Sequence, residues 1–393
     1  MGSAGRGSGH PFELSSGQQA LIQDARTVAR DVLAPLAAKS EARVNRELVA
    51  ALGRTGLLRR LFPRSFGGLQ AGSVSALELC LLRESLARES TAAETALALQ
   101  GLGAYPIVQA GTEEAARRYV PSIAAGRAVA SFALTEPGAG SDAAALSLQA
   151  EPDGDGYRLT GEKAFISNAP DADLYTVFAR TSPGGSRGVT AYVVEGDAPG
   201  LSGEPIELLS PHPIGRLTFD GVPVSRRAML GEEGAGFKVA MRTLDLFRPS
   251  VGAFAVGMAQ AALDEALRHT SVRKAFGRPL KDFQAVSHPL ADVAVRIEAS
   301  RLLVYAAAST YDSGRAVTKM AAMAKLYATE TAQQAVDVAV QVVGARALER
   351  GHLLEHLYRD VRAPRIYEGT SEIQREIIAR QLYRDARIPP NVP

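Results

Sequence analysis

A strand-rich segment between two helical blocks is the feature that most constrains the fold of this 393-residue chain. From about residue 127 to residue 233, short apolar runs alternate with turns rich in Gly, Pro, Asp and Asn. The predicted strands are 128–134, 157–163, 174–180, 188–194 and 216–222. Short strands at this spacing favour a compact barrel or sandwich over βαβ units.

Apolar residues at helical spacing fill the segments on both sides. Ser15 and Ser16 can cap the first helix, and helical runs follow at 43–58 and 73–88. Four long periodic segments come after residue 234, and their short links favour an antiparallel bundle. These segments are 237–269, 281–311, 316–343 and 371–383.

The sequence therefore predicts an α+β multidomain protein with three folded parts. The expected divisions are a flexible tail at 1–11, an N-terminal α-helical domain at 12–126, a middle β-barrel or sandwich at 127–233, and a C-terminal four-helix bundle at 234–393.

Composition excludes several classes of protein. A net charge of +2 gives no basic footprint for nucleic acid. The single cysteine, Cys80, allows no intrachain disulfide and fits a reducing compartment. The sequence has no run of 18 apolar residues for a membrane span, and its start lacks the apolar core of a secretory signal. We therefore expect a cytoplasmic location.

The glycine-rich turn 135–142 is the first candidate for a functional site. Gly138 and Gly140 permit backbone conformations that aim several N–H groups at one acceptor. The turn lacks the Lys-Ser/Thr of a P-loop and the strand–turn–helix setting of a dinucleotide fingerprint. On spacing alone, an ordinary hairpin turn is the simpler interpretation.

The loop around Glu368 is the second candidate. It precedes a predicted helix that Ser371 and Gln374 would open with a capping box. A helix N-terminus favours an ionised carboxylate, whereas burial against an apolar ligand raises its pKa. A base balanced in this way can remove a proton from a weakly acidic carbon. The alternative is a surface glutamate that helps the helix to start.

Arg248 is a third candidate because Pro249 follows it inside a helical run. A proline removes one backbone hydrogen bond and tends to kink a helix. An arginine at such a kink can face a cavity or an anion. A surface ion pair is the alternative.

Two further motifs fit known signatures poorly. His352 and His356 match H-x-x-E-H, but a third ligand would have to come from the short remainder of the chain. We therefore expect no metal site and keep a zinc hydrolase as a remote alternative. Residues 184–188 match G-x-S-x-G, but a predicted strand follows where a nucleophile elbow needs a helix.

Five separated motifs, in this order, resemble those of the acyl-CoA dehydrogenase family over about residues 12–384. They are Thr-Glu-Pro-Gly-Ala-Gly-Ser-Asp at 135–142, Gly-Glu-Lys-Ala-Phe-Ile-Ser-Asn at 161–168, Arg-Lys-Ala-Phe-Gly at 273–277 with Phe283-Gln284, Tyr-Arg-Asp at 358–360, and Tyr-Glu-Gly-Thr at 367–370.

The resemblance implies FAD as cofactor and α,β-dehydrogenation of an acyl-CoA thioester, as in fatty-acid metabolism. It also implies a homotetramer and an electron-transfer flavoprotein as electron acceptor. Glu368 falls on the catalytic base, which takes the α-proton while flavin N5 takes the β-hydride. The backbone N–H at Glu368 and a flavin ribityl hydroxyl would stabilise the enolate oxygen.

Two sets of binding residues follow from the same resemblance. The cofactor-binding positions are Phe132, Leu134, Thr135, Gly140, Ser141, Phe165, Ile166, Ser167, Arg273, Phe276, Gln284, Gln341, Val342, Gly344, Ala345, Thr370 and Glu372. The substrate-binding positions are Ser141, Asp245, Arg248, Tyr367 and Gly369.

The chain departs from the family pattern at one point. Ala345 stands where the family often has the second glycine of a pair at the FAD contact between subunits. Some branches place the base immediately before Arg248, but this chain has Phe247 there, so the base is assigned to Glu368.

Other functions remain open at this stage. Within the same fold they are a biosynthetic dehydrogenase that acts on a carrier-protein thioester, an oxidase and a monooxygenase. Retention of Glu368 favours α-proton abstraction over monooxygenation. A non-catalytic flavoprotein scaffold is a further alternative, and the sequence does not give the acyl group.

Overall fold

The computed structural model describes residues 13–38 and 42–386. The predicted tail at 1–11 lies outside the described residues. The helices are α1 (Ser16–Val28), α2 (Ala34–Ala37), α3 (Arg46–Arg54), α4 (Ala76–Glu89), α5 (Thr91–Ala110), α6 (Glu113–Ala124), α7 (Gly236–Val272), α8 (Gln284–Asp312), α9 (Thr318–Val343), α10 (Leu353–Asp360) and α11 (Ser371–Asp385). A π-helical turn, Ala29–Leu33, joins α1 to α2.

The strands occupy the middle of the chain and one later hairpin. They are β1 (Ala130–Ala133), β2 (Gln149–Asp153), β3 (Gly156–Ser167), β4 (Leu174–Arg180), β5 (Val189–Glu195), β6 (Leu201–Pro205), β7 (Ile214–Ser225), β8 (Met229–Leu230), β9 (Lys274–Ala275) and β10 (Arg278–Pro279). The five predicted strands fall on β1, β3, β4, β5 and β7. The sequence missed β2 and β6, which are mostly exposed and have little apolar pattern.

Strands β1 to β8 form one sheet with the order β6-β7-β3-β2-β4-β5-β8, in which β1 pairs in parallel with β4, and β9 and β10 form a separate antiparallel pair. The long antiparallel pair of β3 and β7 has two register irregularities, between Leu159 and Gly161 and between Lys163 and Ile166. The second one bends β3 directly beside Phe165. Such bulges re-aim side chains, and they are frequent next to active sites.

The long helix α7 is central to the helical part of the molecule and packs against α4, α5, α8 and α9. Small residues on α7 allow this close approach. A Cβ added to Gly252 would stand 2.7 Å from the Val304 side chain, and one added to Gly257 would stand 2.5 Å from the Glu84 carbonyl oxygen. Pro249 lies inside α7, and the helix continues through it.

Helix starts follow the sequence signals at the N-terminus. Ser15 caps α1 in a full capping box with Gln18.

Within residues 13–38 and 42–386, no helix combines the length and apolar character needed to cross a membrane.

Candidate active site

A buried ion pair joins the glycine-rich turn to the second motif, on β3. Lys163 Nζ lies 2.8 Å from Glu136 Oε1 and donates a second hydrogen bond, 3.0 Å long, to the Leu134 carbonyl. The other Glu136 oxygen accepts hydrogen bonds from the backbone N–H and hydroxyl of Ser147, at 2.6 and 2.8 Å. These hydrogen bonds therefore join the turn 135–142 to β3, although about twenty residues separate the two motifs in the sequence.

The electrostatics of this pair favour two charged groups at pH 7. Burial alone would raise the pKa of Glu136, but Lys163 and the backbone N–H groups of Ser147 and Leu148 outweigh burial and lower it. Burial lowers the pKa of Lys163 to about 8, against the attraction of Glu136.

Phe165 extends from the bulge in β3 with a left-handed backbone (φ 56°) and a ring that is 55% exposed. The neighbouring backbone is fixed because the Ala164 N–H donates to the Thr135 carbonyl and the Ser131 hydroxyl donates to the Ser167 carbonyl. A bulky residue in this strained conformation beside a rigid turn points to a ligand surface.

The other predicted flavin residues differ in how much of each side chain is available. Leu134 and Ile166 are buried in the core, so their backbone is what they can offer to a ligand. Phe132 is half-buried against Phe178, with ring centroids 4.9 Å apart. Gly140 and Ser141 are exposed on the turn.

The loop that carries Glu368 has a strained backbone. Glu368 has φ 52° and Gly369 has φ 92°, both in the left-handed region. The predicted capping box is wrong: Thr370 caps α11 and accepts a hydrogen bond from the Ile373 N–H. Ser371 instead donates to Glu330, because it already belongs to the first turn of α11.

Three side chains from three helices hold the carbonyl groups of this loop. Arg248 Nε donates to the Glu368 carbonyl at 3.3 Å, and Lys325 Nζ donates to the Gly369 carbonyl at 2.8 Å. Gln374 Nε2 donates to both, at 3.2 and 2.9 Å. Arg248, Lys325 and Gln374 are buried, and we call them the carbonyl clamp.

The Glu368 carboxylate has few direct partners. Its Oε2 atom is buried and has no hydrogen-bond partner among the described residues. Burial raises the pKa of Glu368 above its ordinary value, against the positive charges of Arg83, Arg248 and Lys325. The surface-glutamate alternative is therefore wrong. The carboxylate is a stronger base than an exposed one, and it is free to accept a proton.

Arg83 belongs to a second buried charge pair behind the loop. It forms a short ion pair with Glu94, and its Nη1 donates to the Ser250 hydroxyl at 2.7 Å. Both charged side chains are almost completely buried. Burial raises the pKa of Glu94, and the charge of Glu368 adds to this effect and also favours the protonated form of Arg83, so this pair is electrostatically coupled to the base.

Most of the predicted substrate residues surround Glu368. Asp245 lies 3.6 Å from Arg248 and accepts a hydrogen bond from Thr318, at 3.1 Å. Arg248 is buried, so the surface ion pair is wrong for it. Tyr367 and Gly369 flank Glu368 in sequence. Ser141 lies on the turn of the β sheet, and no hydrogen bond or ion pair among the described residues joins it to this group.

The remaining predicted FAD residues lie on outer parts of the chain. Arg273 ends α7, Gln284 begins α8, and Phe276 has φ 51° with a side chain that is 95% exposed. The run Gln341, Val342, Gly344 and Ala345 lies at the end of α9 and just beyond it, with Gly344 at φ 76°. Thr370 and Glu372 lie at the start of α11.

The two histidines of the zinc alternative have separate partners. His352 caps α10, and its Nδ1 accepts the Leu354 N–H. His356 Nε2 lies 2.7 Å from the Thr91 hydroxyl and 2.9 Å from Asp360. In the part of the chain that the structure describes, no cluster of three or more His, Cys, Asp or Glu could hold a metal ion.

Sequence reasoning missed Arg83, Glu94, Lys325 and the role of Gln374. A usable signal was present for one of them, since Lys325 is a single charge inside the apolar run Ala-Met-Ala-Lys-Leu. A charge on the apolar face of a helix is costly to bury and therefore points to a specific partner.

The turn and β3 fit a flavin. A Cβ added to Gly138 or Gly140 would meet nothing within 4 Å, so these glycines face open space and serve no packing role. The exposed Phe165 and the exposed turn therefore leave a surface that a ligand can cover.

Comparison with known proteins gives the family. Three family models match in order: the acyl-CoA dehydrogenase N-terminal domain at residues 15–127, the middle domain at 131–222 and the C-terminal domain at 234–383. The chain is therefore a member of the acyl-CoA dehydrogenase family of FAD-dependent oxidoreductases that act on CH–CH donors.

Individual proteins agree over nearly the whole length. The chain is 37% identical over 380 residues to cyclohexane-1-carbonyl-CoA dehydrogenase of Geobacter metallireducens, covering 95% of this chain and 100% of the relative. Butyryl-CoA dehydrogenase of Megasphaera elsdenii has 35% identity, a TM-score of 0.90 and coverage of 95% and 100%. PigA, solved with FAD and proline, has 31% identity, a TM-score of 0.90 and coverage of 95% and 99%.

Proposed function

We propose that this protein removes two hydrogens from the α and β carbons of an acyl-CoA thioester and gives the 2-enoyl-CoA. The observation that carries the proposal is the Glu368 carboxylate, which is buried, has one unpartnered oxygen and lies in a strained loop. Such a group has no structural partner to explain its position, whereas a general base requires a free lone pair.

Glu368 takes the α-proton in this proposal. Its raised pKa makes the carboxylate a better proton acceptor, while Arg83, Arg248 and Lys325 keep part of it ionised before the reaction. The bound FAD supplies the acceptor for the β-hydride. The turn 135–142 and Phe165 to Ser167 would hold this cofactor.

The backbone beside the base is available for the thioester oxygen. Among the described residues, no acceptor takes a hydrogen bond from the N–H of Glu368, whose carbonyl is held by the carbonyl clamp. A fixed donor at this point stabilises the negative charge that develops on the oxygen as the α-proton leaves. Arg248 contacts the Glu368 carbonyl, and Asp245 lies 3.6 Å from Arg248.

A panel of acyl-CoA thioesters under anaerobic conditions tests the proposal. The protein should be yellow with one FAD per chain, and at least one branched, cyclic or linear acyl-CoA should bleach the flavin band within seconds, because Glu368 and FAD act on the same pair of carbons. Flavin absorbance in a stopped-flow instrument measures this. The control is the corresponding 2-enoyl-CoA, which has no hydrogens left to remove and should leave the flavin oxidised.

The outcome also separates this function from its rivals. Bleaching by carrier-protein thioesters alone would identify the biosynthetic alternative, and rapid peroxide formation in air would identify an oxidase. A colourless protein that FAD cannot reconstitute would contradict the cofactor assignment. An electron-transfer flavoprotein is the proposed physiological acceptor, and a cytoplasmic location remains a prediction.

We expect a homotetramer in which the exposed corner from Arg273 to Gln284 completes a neighbouring subunit's FAD site. The expected result for Arg273→Ala is about 10- to 100-fold weaker FAD binding together with a loosened oligomer, because a charge-assisted contact to a phosphate is lost. Flavin content and light scattering on one sample measure both effects.

Arg268→Ala is the matched control for this variant. Arg268 is exposed near the end of the same helix and pairs with Glu265, so its loss should leave FAD and assembly unchanged. A stable monomer of the parent protein with full FAD would show that one chain builds the whole site.

A further inference from the structure

Lys325 stands where packing alone would place an apolar residue. It lies on the α9 face formed by Ala321, Ala324, Ala328 and Ala332, and its side chain is completely buried. Burying an ammonium group costs several kcal/mol unless specific interactions compensate. In the proposed reaction Glu368 takes the proton and Arg248 lies beside it, whereas Lys325 enters only as one of three positive charges.

The hydrogen bond of Lys325 acts on the strained turn that presents the base. Its Nζ donates to the Gly369 carbonyl at 2.8 Å, next to the two left-handed residues Glu368 and Gly369. A non-glycine residue in this region costs about 1–3 kcal/mol and persists only where the surroundings hold it. Gln374 donates to the same carbonyl, so the turn is held from α9 and α11 together.

The charge of Lys325 is the least neutralised of the three cations around the base. Arg83 forms an ion pair with Glu94, and Arg248 lies 3.6 Å from Asp245. Within the described residues, no carboxylate lies within ion-pair distance of Lys325 Nζ, which donates its hydrogen bond to a neutral carbonyl.

The charged groups around Glu368 can be named element by element. Arg83 on α4, Glu94 on α5, Arg248 on α7 and Lys325 on α9 act on it directly, whereas Asp245 on α7 acts on Arg248, and Glu330 on α9 and Glu372 on α11 act on Lys325. Burial lowers the pKa of Lys325 to about 8, and the leading opposing effect is the negative charge of Glu368.

We propose that Lys325 is a positioning residue for the base, an inference that rests on the proposed function. Its hydrogen bond to the Gly369 carbonyl holds the left-handed turn, and its uncompensated positive charge keeps Glu368 ionised until the α-proton is transferred. The first effect acts on the geometry of proton transfer, and the second sets the pH range in which the base is available.

Three variants separate the hydrogen bond from the charge. Lys325→Met removes both, Lys325→Gln keeps a donor without charge, and Lys325→Arg keeps the charge. The surface residue Lys319, on the same helix and paired with Asp385, supplies the control Lys319→Met. For each protein we would measure flavin reduction by the best acyl-CoA against pH, acyl-CoA affinity, FAD content, melting temperature and hydrogen exchange of residues 366–370.

Lys325→Met should reduce the flavin about 10- to 100-fold more slowly at pH 7, since small misplacements of a reacting group cost up to about 100-fold. FAD content and acyl-CoA affinity should stay within a few-fold of the parent. The acidic limb of the pH profile should move to higher pH, because loss of a cation raises the pKa of Glu368 and its ionised form is then lost earlier as pH falls. Hydrogen exchange in 366–370 should increase.

The other variants sharpen the expectation. Lys325→Gln should recover much of the maximal rate of flavin reduction, but the acidic limb of its pH profile should stay shifted. Lys325→Arg should return this limb toward its position in the parent protein. Lys319→Met should match the parent in every measurement. A parental rate and an unmoved limb in Lys325→Met would overturn the inference. So would loss of FAD or of the fold in all three Lys325 variants, since Lys325 would then be a structural residue. Failure of the proposed function is distinguishable, because the parent itself would then not be reduced by any acyl-CoA.

Discussion

Glu368→Gln should lower flavin reduction by acyl-CoA at least about 100- to 10,000-fold, the range that a general base contributes. The amide has nearly the same shape as the carboxylate but cannot accept the α-proton. No second base stands ready to replace Glu368, since no described side chain forms a hydrogen bond with its buried Oε2 atom. Anaerobic stopped-flow absorbance of the flavin measures the change.

The matched control is Glu376→Gln on the exposed face of α11, where Glu376 pairs with Arg380. This variant should reduce flavin at the parental rate. FAD content and the spectral change on binding of acyl-CoA should be similar for Glu368→Gln and the parent, which separates chemistry from binding. Activity of Glu368→Gln within a few-fold of the parent would place the base elsewhere.

Periodicity predicted the order of the structural layers because each block has a strong apolar pattern. The predicted run 174–180 coincides with β4, whose residues are buried on both faces. The missed strands β2 and β6 are mostly exposed and pair through backbone hydrogen bonds that leave no apolar trace in the sequence. The sequence therefore predicted a strand only where the side chains of that strand enter the core.

The centre of the site was predicted less completely, for a different physical reason. Glu368 lies in a motif, whereas its electrostatic partners come from helices that are far apart in sequence. Whether Arg83 or Lys325 faces Glu368 depends on the packing of α4 and α9 against α7, which no local pattern encodes. The wrong capping prediction at Ser371 has a similar origin. The Ser371 hydroxyl donates to Glu330 on α9, and the Gln374 side chain donates to the loop carbonyls as part of the carbonyl clamp.

Among the variants proposed here, Lys163→Met should lower the free energy of unfolding most, by about 3–5 kcal/mol, because it leaves the buried carboxylate of Glu136 without its counter-charge. Lys163 is fully buried and Glu136 nearly so, and their pair ties β3 to the turn that would hold FAD. The variant should therefore lose FAD at a lower temperature than the parent. Thermal unfolding followed by flavin fluorescence and by circular dichroism measures the two effects together.

Two companion variants identify the cause. Adding Glu136→Gln to Lys163→Met removes the stranded charge and should recover part of the stability, since the larger part of such a loss comes from the uncompensated ion. Arg158→Met breaks the ion pair with Asp153 on the exposed side of the same strand, and it should change stability by about 1 kcal/mol or less. Equal losses for Lys163→Met and Arg158→Met would contradict the assignment. If the double variant were less stable to unfolding than Lys163→Met, Glu136 would instead hold the turn through its hydrogen bonds with Ser147 and Leu148, without needing the lysine.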